Sequence, residues 1–208
     1  MAIVWLCSSS VEQYAAAGRA VKVPRPDCPA CGQPMEFWSG YGRYVRAGRT
    51  WRVWVRRAKC RACRATHALL PSFALLRRLD AAEVIGSALE RAVAGAGLRP
   101  VAAGLAVPHT SVRDWRRRFR ARAPTLAAGL GALAVELGAP AAALPAGGEV
   151  AALAALWAVW AWVRRRLGDL APTRWRLAAA VSGGGWLATT TSPPWAGLGG
   201  RGWMPPVP

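Results

Sequence analysis

Apolar and charged positions alternate most sharply between residues 50 and 57, where Trp51, Val53 and Val55 interleave with arginines. A period of two is the mark of a strand with one buried face. Residues 35–46 read the same way, and Ala47-Gly48-Arg49 between them reads as a turn, so the two runs predict a hairpin. Further on the period becomes helical. Val84, Ile85, Leu89, Ala92 and Val93 recur at helical spacing behind Asp80-Ala81-Ala82-Glu83, which fits a capping box, and Gly95 and Gly97 end that helix. Pro100 suits the first position of a short helix over 100–105, where its missing N–H costs nothing. Ala106-Val107-Pro108 breaks that helix. The next begins near His109-Thr110-Ser111, where a hydroxyl can cap it, and runs to about residue 123, before Pro124.

The remaining segments are less sharply patterned. Residues 11–19 suit a short helix, and 21–26 lead in extended because their prolines disfavour helix. Residues 125–137 continue as a weak helix, and 138–148 read as a linker. A helix over 150–167 places Leu153, Leu156, Trp157 and Trp160 on one face and ends in Arg164-Arg165-Arg166, favourable at a helix C-terminus. Such a face calls for packing against the hairpin region or a second subunit. Residues 183–208, with Gly-Gly-Gly and several prolines, form an irregular tail whose Trp186, Trp195 and Trp203 call for at least partial docking.

Cysteine spacing adds chemistry to this outline. Cys28-Pro29-Ala30-Cys31 and Cys60-Arg61-Ala62-Cys63 flank the hairpin, and two Cys-x-x-Cys turns can aim four thiolates at one centre. The expected ligands are Cys28, Cys31, Cys60 and Cys63, holding a structural Zn2+ in a zinc ribbon. Paired disulfides or four unrelated thiols are the alternatives. His67, four residues past Cys63, could replace a ligand, but four thiolates leave it to a local hydrogen bond. Cys7 is left over and reads as a small apolar residue. Metal spacing for four of five cysteines implies a reducing compartment, here the cytoplasm and its nucleoid.

Charge narrows the partners. The chain carries 28 Lys/Arg against 10 acids, and residues 1–124 hold 22 of those cations and 7 of those acids. No acid lies between Glu36 and Asp80, an interval with eleven Lys/Arg. Such a field attracts polyanions, nucleic acid above all. A GC-rich coding bias would raise arginine throughout the chain, but it does not explain this concentration. The longest apolar run, 150–163, spans 14 residues, short of the roughly 20 that cross a bilayer, so no membrane partner is expected. The first residues carry no basic flank and do not read as a secretory signal.

The helix from 109 decides the expected function. Val112, Trp115 and Phe119 form one apolar stripe, while Arg113, Arg116, Arg117, Arg118, Arg120 and Arg122 place six arginines in ten residues around it. A short helix, a tight turn and such a helix follow the helix-turn-helix plan, in which the second helix enters the major groove of double-stranded DNA. Thr110, Ser111, Arg113, Arg116, Arg117 and Arg120 are the expected DNA-binding residues. The overall expectation is an α+β chain: an N-terminal segment (1–23), a zinc ribbon (24–73), a helix-turn-helix (74–124), a helix and linker (125–149), and a Trp-rich helix with its tail (150–208).

Cys28-Pro-Ala-Cys-Gly, Cys60-Arg-Ala-Cys, Thr66-His-Ala-Leu-Leu-Pro-Ser-Phe73 and Val107-Pro-His-Thr-Ser-Val-Arg-Asp-Trp115 resemble an uncharacterised bacterial zinc-ribbon plus helix-turn-helix family, similar to the DNA-binding front of insertion-sequence transposases. The likeness covers residues 24–124, and 189–195 also resemble its longer members. It implies a transposase-related or regulatory DNA-binding factor, with ligand roles for the four cysteines. A homodimer through the Trp-rich helix and a separate catalytic or transcription partner both fit that role.

Two other functions compete. Beyond residue 124 only Glu136, Glu149 and Asp169 could hold catalytic metals, and none lies on a strand-like run, so no enzyme is expected. A transposase lacking its catalytic domain remains compatible. An RNA- or protein-binding ribbon is the other alternative. Trp38, Tyr41, Tyr44, Trp51 and Trp54 could stack on unpaired bases or supply the small core a ribbon otherwise lacks.

Overall fold

A computed structural model describes residues 2–140 and 143–187. Four strands make one sheet: β1 (Ala2–Trp5), β2 (Met35–Ala47), β3 (Arg49–Cys60) and β4 (Thr66–Pro71), in the order β1-β4-β3-β2. The predicted hairpin is present as β2 and β3. Gly48, at φ 72, closes it in the left-handed region that glycine enters without penalty. Val53 and Val55 face the core, as their alternation requires. One irregularity interrupts the ladder. The register shifts between Phe37 and Ser39, leaving Trp38 as an extra residue on the edge strand.

Two strands were not visible in the pattern. β4 is almost wholly buried, so Ala68, Leu69 and Leu70 form an apolar run rather than an alternation. β1 pairs with β4 in parallel, from Ala2 opposite Ala68 to Trp5 opposite Pro71. Helix α1 (Val11–Ala17) is capped by Ser10 and Gln13 in a reciprocal box and packs against β3, with Tyr14 hydroxyl donating to the Trp54 carbonyl at 3.0 Å. Residues 2–17 thus complete the sheet layer that the cysteine-flanked hairpin begins.

The second layer is helical: α2 (Ala82–Val93), α3 (Leu98–Gly104), α4 (His109–Glu136), α5 (Gly148–Leu167) and α6 (Arg174–Val181). The expected Asp80 capping box does not form. Ala81 occupies the cap without a side-chain bond, because the Asp80 carboxylate is taken by Arg46. α3 starts two residues before Pro100, which still falls in the first turn, where amides lack intrahelical partners. Nor does Pro124 end α4, which continues through it to Glu136, and no hydroxyl caps its start at Pro108. Burial of Ala123, Leu126, Ala127, Leu130 and Leu133 extends the Val112–Trp115–Phe119 stripe beyond the proline and outweighs one lost backbone bond.

α5 packs on α4 rather than on the sheet. Its buried stripe is Ala152, Leu153, Leu156, Val159 and Val163, while Trp157 stays exposed and Trp160 donates to the Pro172 carbonyl at 2.9 Å. α6 fills the last side of this core. Trp175 stacks on Trp186 with centroids 4.9 Å apart, so Trp186 docks as expected; Trp195 and Trp203 lie outside the described residues. No helix among the described residues is long and apolar enough to cross a membrane.

Candidate metal centre and basic helix

The two Cys-x-x-Cys segments adopt one local geometry twice. The Cys28 amide donates to the Gln33 carbonyl at 2.8 Å, and the Cys60 amide donates to the Ala65 carbonyl at 2.9 Å, the same five-residue offset. In each turn the residue after the second cysteine is left-handed: Gly32 at φ 73 and Arg64 at φ 63. Glycine takes this conformation freely, whereas an arginine there costs roughly 1–2 kcal/mol. The first turn is tied to the start of β2 by the Met35 amide donating to the Pro26 carbonyl at 3.0 Å. The second turn is the loop between β3 and β4, so the sheet itself brings both into register: Met35 pairs with Cys60.

All four sulfurs lie within 4.8 Å of one another, with Cys28 Sγ 3.4 Å from Cys63 Sγ and Cys31 Sγ 3.5 Å from Cys60 Sγ. Thiolate bonds of about 2.3 Å in a tetrahedron place neighbouring sulfurs about 3.8 Å apart, so the spacing fits one metal ion at the centre. The cysteines are free of disulfides. Cys28 and Cys60 are buried against Met35, Ala58 and Leu69, while Cys31 and Cys63 are exposed.

The crowded sulfurs titrate apart. Hydrogen bonding from the Cys63 amide leads the effects that draw Cys60 down to about 7. Cys63 feels the Ala65 amide, which lowers it, but hydrogen bonds to Cys28 and the other thiols with desolvation push it up to about 12. Cys31 also rises: the Gln33 amide lowers it, and sharing a proton with Cys60 and desolvation overcome that pull. Four neighbouring thiolates repel one another, and a bound cation removes that penalty. His67 stands outside the cluster. It is buried on β4, and neither ring nitrogen has a hydrogen-bond partner among the described residues, so the expected local bond is not there.

The basic residues of α4 occupy several environments. Val112, Trp115 and Phe119 are buried, and Thr110, Arg113 and Arg117 are exposed, with Ser111 half-buried. Arg117 pairs with Asp114 of its own helix at 3.3 Å. Arg116 and Arg120 both reach Glu149 at the start of α5, at 3.4 and 3.1 Å, a fixed arrangement that helical spacing alone could not show. Ahead of α4, residues 105–108 form the turn after α3, with Ala106 left-handed at φ 51. The structure therefore brings the four cysteines together and places the six expected DNA-binding residues on the first three turns of α4. Arg116 and Arg120 there are held by a neighbouring helix.

Sequence reasoning missed Arg43 and Arg176 as tethers between segments. Arg43 donates to the Leu75 carbonyl and to the Arg78 carbonyl at 2.5 Å, and Arg176 donates to the Cys7 and Ser9 carbonyls at 2.5 and 2.9 Å. Burial depresses Arg43 below its usual range, yet it stays charged. No local pattern marks such a residue, because its partners are distant carbonyls.

Residues 28–103 match a family described as "Domain of unknown function (DUF6431)". The match takes in both cysteine turns, β2 to β4, α2 and most of α3, and stops before α4. A DUF6431 domain carrying a cysteine cluster able to hold a metal ion is therefore present. No curated protein and no solved structure matches the chain.

Proposed function

We propose that the chain is a duplex-DNA-binding protein, of transposase-related or regulatory type, in which a structural zinc ion sets the sheet layer and α4 meets the DNA. One observation carries the reading: Thr110, Arg113 and Arg117 are exposed on the side of α4 away from Val112, Trp115 and Phe119, immediately after a short helix and a four-residue turn. Short helix, turn and long basic helix are the parts with which a helix-turn-helix offers side chains to base edges. Arg116 and Arg120 share Glu149 and Arg117 pairs with Asp114, so part of their charge is balanced within the protein, while exposed Arg113 has no ion-pair partner among the described residues. The zinc assignment follows from the all-thiolate tetrahedral set, which suits zinc over harder cations. The reading is a binding function without catalysis, with a homodimer or a separate catalytic chain as compatible partners.

Selection of bound duplexes from a random pool, followed by titration against salt, tests this. An enriched motif is expected, and with about six phosphate contacts log K falls against log salt with a slope of about −5. R113A/R117A should abolish enrichment and flatten the slope. A salt-insensitive curve, or enrichment unchanged by R113A/R117A, removes the reading.

A further inference from the structure

The most unusual surface lies beside the second cysteine turn. A groove of about 360 Å³ opens there, lined by Glu36, Trp38, Lys59, Cys60, Arg61 and Arg64. Trp38 is 53% exposed, although a large indole on a strand would normally be covered. Its position follows from the bulge between Phe37 and Ser39, which takes it out of the ladder. Bulges of this kind re-aim a side chain. Arg57 and Lys59 stand 5.3 and 5.8 Å from the indole centroid. Arg61 is anchored to Glu36 at 2.7 Å, which leaves Lys59 and Arg64 as the groove's cations without a pairing acid among the described residues. Arg64 holds its place at φ 63, where the first turn uses glycine. Persistence of a strained non-glycine residue at the lip of a groove is the pattern of a functional position.

A half-exposed indole beside two cations that have no pairing acid among the described residues matches one nucleotide: the base stacks and its phosphates meet the ammonium and guanidinium groups. A base in a duplex has both faces covered by its neighbours, so only an unpaired one can use Trp38. We propose that this groove binds an unpaired nucleotide of single-stranded DNA, with Trp38 as the stacking platform and Lys59 and Arg64 as its phosphate contacts. The choice of DNA over RNA rests on the duplex-binding reading of α4; the groove itself does not.

Fluorescence anisotropy on the full, zinc-loaded chain tests the proposal with a labelled deoxythymidine oligomer, the matching RNA oligomer and a blunt duplex. W38A should weaken binding of the deoxy oligomer about ten-fold, the usual loss of one stacked base, and leave the duplex curve in place. W38F should restore most of the affinity. K59Q/R64Q should reduce the salt slope for the single strand by about 1.4, at about 0.7 per lost phosphate contact. Equal metal content and melting temperature in W38A and the parent establish that the fold is intact. Unchanged single-strand affinity in W38A overturns the site, and tighter Trp38-dependent binding of RNA overturns the choice of DNA. R113A/R117A affects only the duplex arm, so failure of the α4 reading and failure of the groove give different results.

Discussion

Arg46 donates its Nε–H to Asp80 Oδ1 across 2.6 Å, and the same two residues meet as an isolated parallel bridge. The Arg46 amide also reaches the Leu79 carbonyl at 2.8 Å, and the Ala81 amide returns to the Arg46 carbonyl at 2.9 Å. Side chain and backbone together fasten the end of β2 to the residue before α2. The Asp80 side chain is only 8% exposed, so removing it strands Arg46 in a poorly solvated place. D80A is expected to destabilise the fold by about 3 kcal/mol, the lower end for breaking such a pair, as read by chemical denaturation. D80N, which keeps the shape and one acceptor, should cost less.

Metal removal is expected to unfold the sheet layer around Cys28 and Cys60 first. These thiols are buried among Met35, Ala58 and Leu69, and without an ion the four sulfurs hold one another only through shared protons. One equivalent of metal per chain should be lost to a strong chelator together with sheet signal in circular dichroism. Binding must also depend on pH. Cys63 sits near 12 and Cys31 is raised, so both carry protons at neutral pH and lose them to the buffer when an ion binds. Apparent affinity therefore rises with pH, and isothermal titration in buffers of different ionisation enthalpy should record protons released on binding.

His67 offers a second pH effect with its own sign. Burial holds its folded value below the usual 6.5, so the folded state favours the neutral ring. Above 6.5 both states are neutral and the histidine contributes no slope. As pH falls through 6.5 toward the folded value, the unfolded chain takes up a proton that the folded chain refuses, and stability is lost. H67L removes that slope below pH 6.5. It also removes two buried nitrogens without partners, so it should stabilise the protein by about 1 kcal/mol at pH 7. Melting temperatures of the two proteins at pH 5.5 and 7.5 check both points.

Gly86 lies under the Trp175 ring, and a methyl built there overlaps the indole atoms. Trp175 cannot easily move, because its Nε1–H donates to Glu90 at 3.1 Å and its ring stacks on Trp186. Alanine normally favours a helix interior over glycine by about 1 kcal/mol. Here G86A is expected to destabilise by about 2 kcal/mol, because overpacking outweighs propensity. Thermal unfolding monitored by tryptophan fluorescence gives the sign directly.

The cysteine cluster and the hairpin were legible because their signals are local: a fixed spacing, a period of two, one glycine in a turn. The stripe of Val112, Trp115 and Phe119 was legible for the same reason. What escaped depends on partners far along the chain. Asp80 carries the letters of a helix cap, but Arg46, 34 residues earlier, takes its carboxylate. Pro124 carries the letter of a helix end, but Phe119 and Ala123 before it and Leu126 and Leu130 after it are buried in the helical core. β1 is too short to show an alternation and exists because β4 offers it an edge. At α4 the arginines were legible as a set; Glu149's hold on two of them was not.

Continuity of α4 through Pro124 has a mechanical result. Its 28 residues make a rod of about 42 Å, with Arg113 and Arg117 near one end and the leucines covered by α5 toward the other. Any tilt imposed on the leucine end is passed to the arginine end through Pro124, since the helix is unbroken there. The packing of α5 therefore sets the angle at which those guanidinium groups point away from the body of the protein.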